Sequence, residues 1–204
     1  MYPTILNKNQ LELIPLIKEF SREFYLVGGT AIALQLGHRQ SIDFDLFKTK
    51  SFNKKKIIDK IEKYHSNYIT IYKENNQLHL LVNNVKITFF EFGFDVPHKI
   101  KFENIITVPT LTDLAAMKAY ALGRRAKWKD YVDLFFVFKQ GISVEDISKR
   151  SSEIFGNLFS KKMFLQQLCY YNDIDYTEEV EYLTTPIPEN QIKEFLTEIA
   201  LTEF

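Results

Sequence analysis

Cysteine and long apolar segments are scarce in this sequence. Cys169 is the only cysteine among 204 residues, so no internal disulfide can form. No apolar run approaches the roughly 20 residues that a membrane-spanning helix needs. The first ten residues also lack the charged-then-apolar order of a signal peptide. We therefore expect a cytoplasmic protein that has no membrane partner.

Several common catalytic and metal-binding patterns are missing as well. The sequence contains no Walker loop, no Cys/His zinc pattern and no evidence for a Ser-His-Asp triad. His65, His79 and His98 are scattered without the spacing of metal ligands. Hydrophobic residues make up 46% of the chain and charged residues 25%, which is typical of a globular protein with a sizeable core.

The net charge of zero conceals an uneven distribution. Of the 26 basic and 26 acidic side chains, only one basic and nine acidic ones lie in the last 32 residues. The first 172 residues therefore carry a side-chain charge of about +8, and the remainder about −8. Two interpretations stay open: a basic surface that binds nucleotide phosphate or nucleic acid, or lysines that only solvate helix faces.

The most informative segment lies near the N-terminus. Its patterning predicts four pieces in chain order: a buried strand over 24–27, the turn Gly28-Gly29-Thr30, an apolar helix over 30–36 that ends at Gly37, and a strand over 42–47 that contains Asp43 and Asp45.

These pieces have complementary chemistry. Alternation along the second strand places Asp43 and Asp45 on one face, where a hard cation such as Mg²⁺ relieves their repulsion and bridges to phosphate oxygens. Gly28 and Gly29 let a ligand approach the backbone closely. Thr30 is predicted to cap the helix, whose free N–H groups then face an anion. The segment therefore predicts a phosphate cradle beside a pair of metal-binding carboxylates.

This order of motifs resembles that of the nucleotidyltransferases of the DNA polymerase β superfamily. The closer resemblance is to the AbiEii/AbiGii toxin-type branch, and it is carried by residues 27–31, 36–39 and 41–47. A second block near residues 113–134 resembles that family's lysine-bearing helix and its K/R-D-x-x-D-L element.

The resemblance implies a fold, an activity and partners. The fold class is α+β, with a polymerase β-like mixed sheet and flanking helices over residues 1–108 and a helical bundle over 109–204. The implied activity is transfer of a nucleoside monophosphate from a nucleoside triphosphate to a hydroxyl acceptor, with Mg²⁺ as cofactor. RNA, such as a tRNA end, is the implied acceptor, and the protein would be a toxin restrained by a cognate antitoxin protein.

The motifs and the resemblance together also define candidate site residues. The predicted metal ligands are Asp43 and Asp45, which are also catalytic. The predicted nucleotide contacts are Gly28, Gly29, Thr30, Arg39 and Ser41. The predicted catalytic side chains of the helical half are Lys118, which contacts phosphate as a point charge, and Asp130 or Asp133, which assists deprotonation of the acceptor.

One expected carboxylate is missing. The resemblance implies a third acid on a neighbouring strand, at the position of Thr88. Three alternatives stay open: Glu91 replaces it through a bulge, an acid of the helical half replaces it, or the protein has lost catalysis. Glu91 is itself predicted to lie on the opposite face of the strand, as a surface or edge residue.

The charged residues of the helical half also have structural explanations. Lys118 either contacts phosphate or extends its ammonium to water along the helix surface. Asp130 is a candidate helix cap as well as a base or metal ligand. Asp133 lies in a strongly apolar helix and needs a partner, so a salt bridge between helices explains it as well as catalysis does.

Periodicity and turn signals predict the remaining elements. They are helices over 11–20, from Asn53, and over 111–123, 129–139, 143–155, 158–171 and 189–202, and strands over 68–73, 78–82 and 85–92.

Two other functions stay open on this sequence. One is a nucleotidyltransferase that modifies a small molecule or a protein, and the other is a nucleotide-binding module that keeps the fold without catalysis.

Overall fold

The structure is a computed structural model that describes residues 1–202. Over this range the α-helices are α1 Lys8–Glu19, α2 Gly28–Leu36, α3 Lys54–Tyr64, α4 Leu111–Leu122, α5 Trp128–Lys139, α6 Val144–Phe155, α7 Lys161–Leu168 and α8 Glu189–Thr202. The strands are β1 Tyr25–Val27, β2 Phe44–Lys48, β3 Tyr68–Glu74, β4 Gln77–Val82, β5 Val85–Glu91, β6 Ile100–Phe102 and β7 Ile106–Val108.

Five strands form a mixed central sheet. Their order is β1-β2-β5-β4-β3, and β2 and β5 are the parallel pair. Asp45 of β2 is paired with Val27 on one side and with Thr88 on the other, and Thr88 is paired in turn with His79. The sheet therefore aligns the second aspartate, the unexpected threonine and a histidine in one row. The predicted α+β class, with helices flanking the sheet and further helices after it, is confirmed.

Local signals explain where several elements begin and turn. The Asn7 side chain accepts a hydrogen bond from the Gln10 backbone N–H at 2.9 Å, and the Gln10 side chain accepts one from the Asn7 backbone N–H. This capping box begins α1 at Lys8. The helix therefore starts three residues before the predicted range of 11–20, and Pro15 lies inside it. Asn83 and Asn84 have φ values of 50° and 60°, as a tight hairpin turn between β4 and β5 requires.

The short hairpin of β6 and β7 was not predicted. Each strand has three residues, and Phe102 and Val108 bury their side chains in the core. Three residues are too few to show a period of two clearly, so only pairing with a neighbour identifies such strands. The predicted helix over 158–171 is shorter in the structure, where α7 covers Lys161–Leu168.

One cluster of buried apolar side chains connects the sheet and the C-terminal helices. It includes Leu26 and Phe89 of the sheet, Leu114 of α4, Leu134 of α5 and Leu196 of α8. The division of the chain at residue 108 into two domains stays a prediction. Within residues 1–202, no helix combines the length and the apolar character needed to cross a bilayer.

Candidate active site

A cleft of about 550 Å³ opens between the central sheet and α4. Its walls come from the first residues of α2, from one face of β2, β4 and β5, and from the facing side of α4. Lining residues that bear on its chemistry are Gly28, Gly29, Asp45, Lys86, Thr88 and Lys118. The volume lies within the range of small-molecule sites in proteins.

Gly28 and Gly29, the first two residues of α2 and here called the glycine turn, bring backbone directly against the Asp45 carboxylate. Gly28 has φ +72°, and a Cβ added there would collide with Oδ2 of Asp45. A Cβ at Gly29 would lie 2.6 Å from Nη2 of Arg39 on the other side of the turn. Both glycines are therefore needed for close approach, between a carboxylate and a guanidinium.

Gly28→Ala is expected to lower both stability and transfer activity. The substitution combines a strained positive φ, which costs about 1–3 kcal/mol, with a collision against Asp45. Urea unfolding and initial transfer rates measure the two effects. Gly93→Ala is the matched control, because Gly93 also lines the cleft but has nothing within 4 Å of an added Cβ. Equal behaviour of the two variants would contradict this account of the turn.

Thr30 stabilises the approach to β2 and does not cap α2. Val27 is the N-cap residue of that helix and makes no side-chain cap, so the expectation of a threonine cap is wrong. The Thr30 hydroxyl is buried, donates to the backbone oxygen of Asp43 and lies 2.9 Å from Oγ of Ser41. Thr30 and Ser41 thus fix the segment that carries the aspartates.

The two aspartates have different surroundings. Asp43 lies one residue before β2, and its Oδ2 is 3.5 Å from the ammonium of Lys86. Asp45 lies inside β2 and faces the cleft. Burial raises the pKa of the Asp45 carboxyl, the Asp43 carboxylate raises it further, and Lys86 opposes both. A carboxylate in such a position is poised to bind a cation, which would relieve the same repulsion.

Thr88 adds a third oxygen to this group. Its hydroxyl is buried and forms no other side-chain hydrogen bond among residues 1–202, but it interacts with the Asp45 carboxylate of the paired strand and lowers the pKa of that carboxyl, against the effect of burial. Two carboxylates and a hydroxyl form a set of hard oxygen donors that fits Mg²⁺. The described part of the chain contains no group of three or more acidic, histidine or cysteine side chains that could hold a metal.

Glu91 does not take the place of the missing acid through a bulge. The pairing of β5 with β2 and with β4 is continuous, so no extra residue shifts Glu91 towards the position of Thr88. Glu91 is the last residue of β5, is paired with Lys48 and lies at the border of the cleft.

Lys118 is held between two carboxylates from α5. Its ammonium contacts Oδ1 of Asp130 and lies 2.9 Å from Oδ2 of Asp133. Lys118 is 7% exposed, so the alternative in which its ammonium extends to water is wrong. The N-cap residue of α5 is Lys127, which also excludes Asp130 as the cap. An ion pair between helices, one of the open alternatives, is the arrangement observed.

Asp133 is the centre of this buried charge network. Its Oδ1 accepts hydrogen bonds from Nε of Arg39 and Nε2 of His38, both at 2.8 Å, and its Oδ2 accepts one from Nη2 of Arg39 at 2.9 Å. Burial alone would raise the pKa of Asp133, but Arg39, Lys118 and His38 hold it well below the usual value. The carboxylate is therefore ionised and fully paired.

The structure brings the predicted site residues together in three groups. Four line the cleft: Gly28, Gly29, Asp45 and Lys118. Three lie next to these in ion pairs: Asp43, Asp130 and Asp133. The others pack behind the glycine turn: Thr30, Arg39 and Ser41. For this last group, direct contact with a nucleotide stays a prediction.

Sequence reasoning missed several residues of the cleft. Lys86, Thr88 and Phe90 are spaced two residues apart on β5 and therefore share one face of the sheet. This period of two was the signal in the sequence that could have identified Lys86. Tyr120 and Arg124 lie one turn apart at the end of α4 and after it, but nothing in their spacing distinguishes them from other surface residues.

Comparisons with known proteins agree with this geometry. The sequence profile of the family described as nucleotidyl transferase AbiEii toxin, type IV toxin–antitoxin system, matches residues 17–203. A protein of Aquifex aeolicus (strain VF5) described as uncharacterized is 30% identical over an alignment 204 residues long, which covers 94% of this chain and 98% of that protein.

Two solved structures share the fold at low sequence identity. MenT4, a nucleotidyltransferase toxin of Mycobacterium tuberculosis H37Rv, is 13% identical with a TM-score of 0.65, over 96% of this chain and 83% of that one. JHP933 of Helicobacter pylori is 13% identical with a TM-score of 0.58, over 97% and 92%. The family and enzyme class implied by the sequence are confirmed, and the chain belongs to the AbiEii nucleotidyltransferase toxin family.

Proposed function

We propose that this protein transfers a nucleoside monophosphate from a nucleoside triphosphate to a hydroxyl group of RNA, as the toxin of a toxin–antitoxin pair. The observation that carries the proposal is one cleft in which Gly28, Asp45 and Lys118 face the same space. Phosphoryl transfer uses these groups: backbone that a phosphate can approach closely, a carboxylate that can hold a metal ion, and a cation fixed in position.

The triphosphate would lie between the start of α2 and the cations of the cleft. Backbone N–H groups at Gly28 and Gly29 are at the positive end of the α2 dipole, which attracts phosphate. Lys86 and Arg125 line the same cleft and add positive charge, while Lys118 is held rigidly by Asp130. Catalysis would therefore come mainly from positioning and charge neutralisation.

Asp43 and Asp45 are the residues that would hold Mg²⁺, with the Thr88 hydroxyl beside them. Bound Mg²⁺ supplies neutralisation of phosphate charge and so favours departure of pyrophosphate. Burial and the Asp43 carboxylate raise the pKa of Asp45, and a cation bound between the two carboxylates would relieve their repulsion.

In the reaction, the acceptor oxygen attacks the α-phosphorus and an oxygen–phosphorus bond forms. The bond from that phosphorus to pyrophosphate breaks, and pyrophosphate leaves with the electron pair. Asp133 is a poor candidate to take the hydroxyl proton, because His38, Arg39 and Lys118 occupy both of its oxygens and hold its pKa low. We assign Asp133 a positioning role. Asp130 is also buried, but it contacts the exposed Arg125 at the cleft, and we keep it as the candidate base.

The charge around the cleft supports a polyanionic acceptor. Arg125 is exposed at one border of the cleft, and Lys86 lines it from β5. These cations fit the phosphates of an RNA end. The family description, a toxin of a toxin–antitoxin system, supports a cognate antitoxin as the protein partner.

The acceptor is tested with nucleotides that carry a radioactive α-phosphate. The protein is incubated with each nucleotide, Mg²⁺ and total cellular RNA, and the products are divided between ribonuclease and protease treatment. We expect label in material that ribonuclease degrades. Label only in protein or in small molecules would overturn the RNA proposal, and nucleotide binding without any transfer would favour a binding module that lacks catalysis.

A further inference from the structure

Three planar side chains are stacked at the border of the cleft. The ring of Tyr120, on α4, lies parallel to that of Phe155, on α6, with centroids 3.9 Å apart and an interplanar angle of 11°. Cζ of Arg124 lies 3.6 Å from the centroid of the Tyr120 ring. Two groups this close cannot occupy one face of a ring, so Phe155 and Arg124 cover opposite faces. We call the three side chains the stacked column.

The column is fixed in place. Nη1 of Arg124 donates a hydrogen bond to the backbone oxygen of Tyr120 at 3.0 Å, which anchors the guanidinium. Phe94 packs edge-on against Tyr120 and against Phe155, with centroid distances of 5.7 and 4.9 Å. The two aromatic rings are thus held from the side as well as from above.

The outer member of the column is available to a ligand. Arg124 is exposed, and within residues 1–202 no carboxylate forms an ion pair with it. The neighbouring Arg125, by contrast, has its Nε 3.3 Å from Oδ2 of Asp130. A guanidinium that is anchored, unpaired and stacked on an aromatic ring presents a flat cationic surface, which suits the π-face of a nucleobase.

The platform lies in the same cleft as the proposed phosphate-binding residues. Lys118 lies on α4, and Arg124 follows the end of that helix by two residues. Both residues, and Tyr120 between them in sequence, line the cleft. One nucleotide bound there would contact Lys118 through its phosphate and Arg124 through its base.

We propose that the stacked column is a nucleobase platform, with the guanidinium of Arg124 as its contact surface. The inference rests on the proposed function and extends it by placing a base. The base belongs either to the incoming nucleotide or to the end of the acceptor RNA, and the two sources share this chemistry. Stacking of this kind tolerates all four bases, because each has a π-face.

The test compares ligands with and without a base. The first arm compares the Kd of a nucleoside triphosphate with the Kd of ribose 5′-triphosphate. The second arm compares the Kd of a short RNA with the Kd of the same RNA made abasic at its 3′ end. The wild-type protein should prefer the ligand with the base by about fivefold or more in one arm. Arg124→Lys keeps the charge but removes the plane, so this preference should fall to about one while the ligand without the base binds as before.

Controls separate the platform from general electrostatics and from the proposed function. Arg22→Lys changes an exposed arginine outside the cleft and should leave both affinities unchanged. The arm in which the preference falls identifies the source of the base. The platform would be overturned if Arg124→Lys kept the preference for the base in both arms, or if it lost affinity equally for both ligands of a pair. Either result would leave the proposed transfer activity intact. Absence of all binding by the wild-type protein would overturn both proposals.

Discussion

Asp45→Asn is expected to reduce nucleotide transfer about 10²–10³-fold, because it removes one of the two carboxylates that would hold Mg²⁺. The loss should arise without unfolding. Burial and the adjacent Asp43 raise the pKa of Asp45, so the folded protein binds a proton there more tightly than the unfolded chain does. The ionised carboxylate therefore lowers stability at neutral pH, and its replacement by a neutral amide should leave stability unchanged or increase it.

Initial transfer rates and urea unfolding at pH 7 measure these two effects on one preparation. Asp59→Asn is the matched control, because Asp59 is an exposed aspartate on α3 outside the cleft. It should keep both activity and stability. An Asp45→Asn protein that transfers nucleotide at the wild-type rate, or one that is markedly less stable, would contradict this assignment.

Asp133→Asn is expected to lower the free energy of unfolding by about 3–5 kcal/mol, which is the usual cost of breaking a buried ion pair by removing one partner. Asp133 is fully buried and is the acceptor for His38, Arg39 and Lys118. Without its charge, two cations stay buried with Asp130 as the remaining anion of the network. Urea unfolding measures the change.

The pH dependence of stability provides a second measure of the same network. The pKa of Asp133 is lower in the folded protein than in the unfolded chain, where an aspartate has a value of about 3.9. Its contribution to stability is therefore complete above that value and is lost as the pH falls through the lower folded value. In Asp133→Asn, this part of the decrease in the free energy of unfolding at acid pH should be absent.

Glu145→Gln serves as the control for Asp133. Glu145 is also paired, with Lys161 at 2.8 Å, but it is 68% exposed. Exposed pairs contribute little to stability, so little change is expected. Equal stabilities of the Asp133 and Glu145 variants would contradict a special role for the buried network.

The sequence contained enough information for the fold class and for which residues meet at the candidate site. Gly28-Gly29 followed by Asp43 and Asp45 carries its own physical reasons, namely close backbone approach and paired oxygen ligands, and the structure places Gly28 against Asp45. The hairpin at Asn83-Asn84 was predictable for a similar reason, because few residues accept a positive φ.

What could not be predicted depends on contacts between distant parts of the chain. Arg39 lies close to the aspartates in sequence, but nothing near it in the sequence indicates that its guanidinium is buried against Asp133, 94 residues away. Thr30 looks like a helix cap, but its hydroxyl is used by the backbone of Asp43. A local pattern identifies which residues can bind anions or cap helices, and only the tertiary structure determines their partners.

The buried network and the cleft are physically connected. Lys118 lines the cleft and is held by Asp130 and Asp133, and Asp133 in turn holds Arg39 beneath the Gly29 turn. The network thus joins α4 and α5 to the loop that carries the aspartates. Asp133 would therefore contribute to activity indirectly, through the positions of Lys118 and of the glycine turn.

The most direct test of the central claim is a transfer reaction with total RNA in which the same nucleotide carries label on its α- or its γ-phosphate, with Mg²⁺ or with a chelator. The account expects label in RNA from the α-labelled nucleotide alone, only with the metal, together with release of pyrophosphate. Transfer of the γ-label, transfer that survives the chelator, or no transfer of α-label from any of the four nucleotides would contradict it.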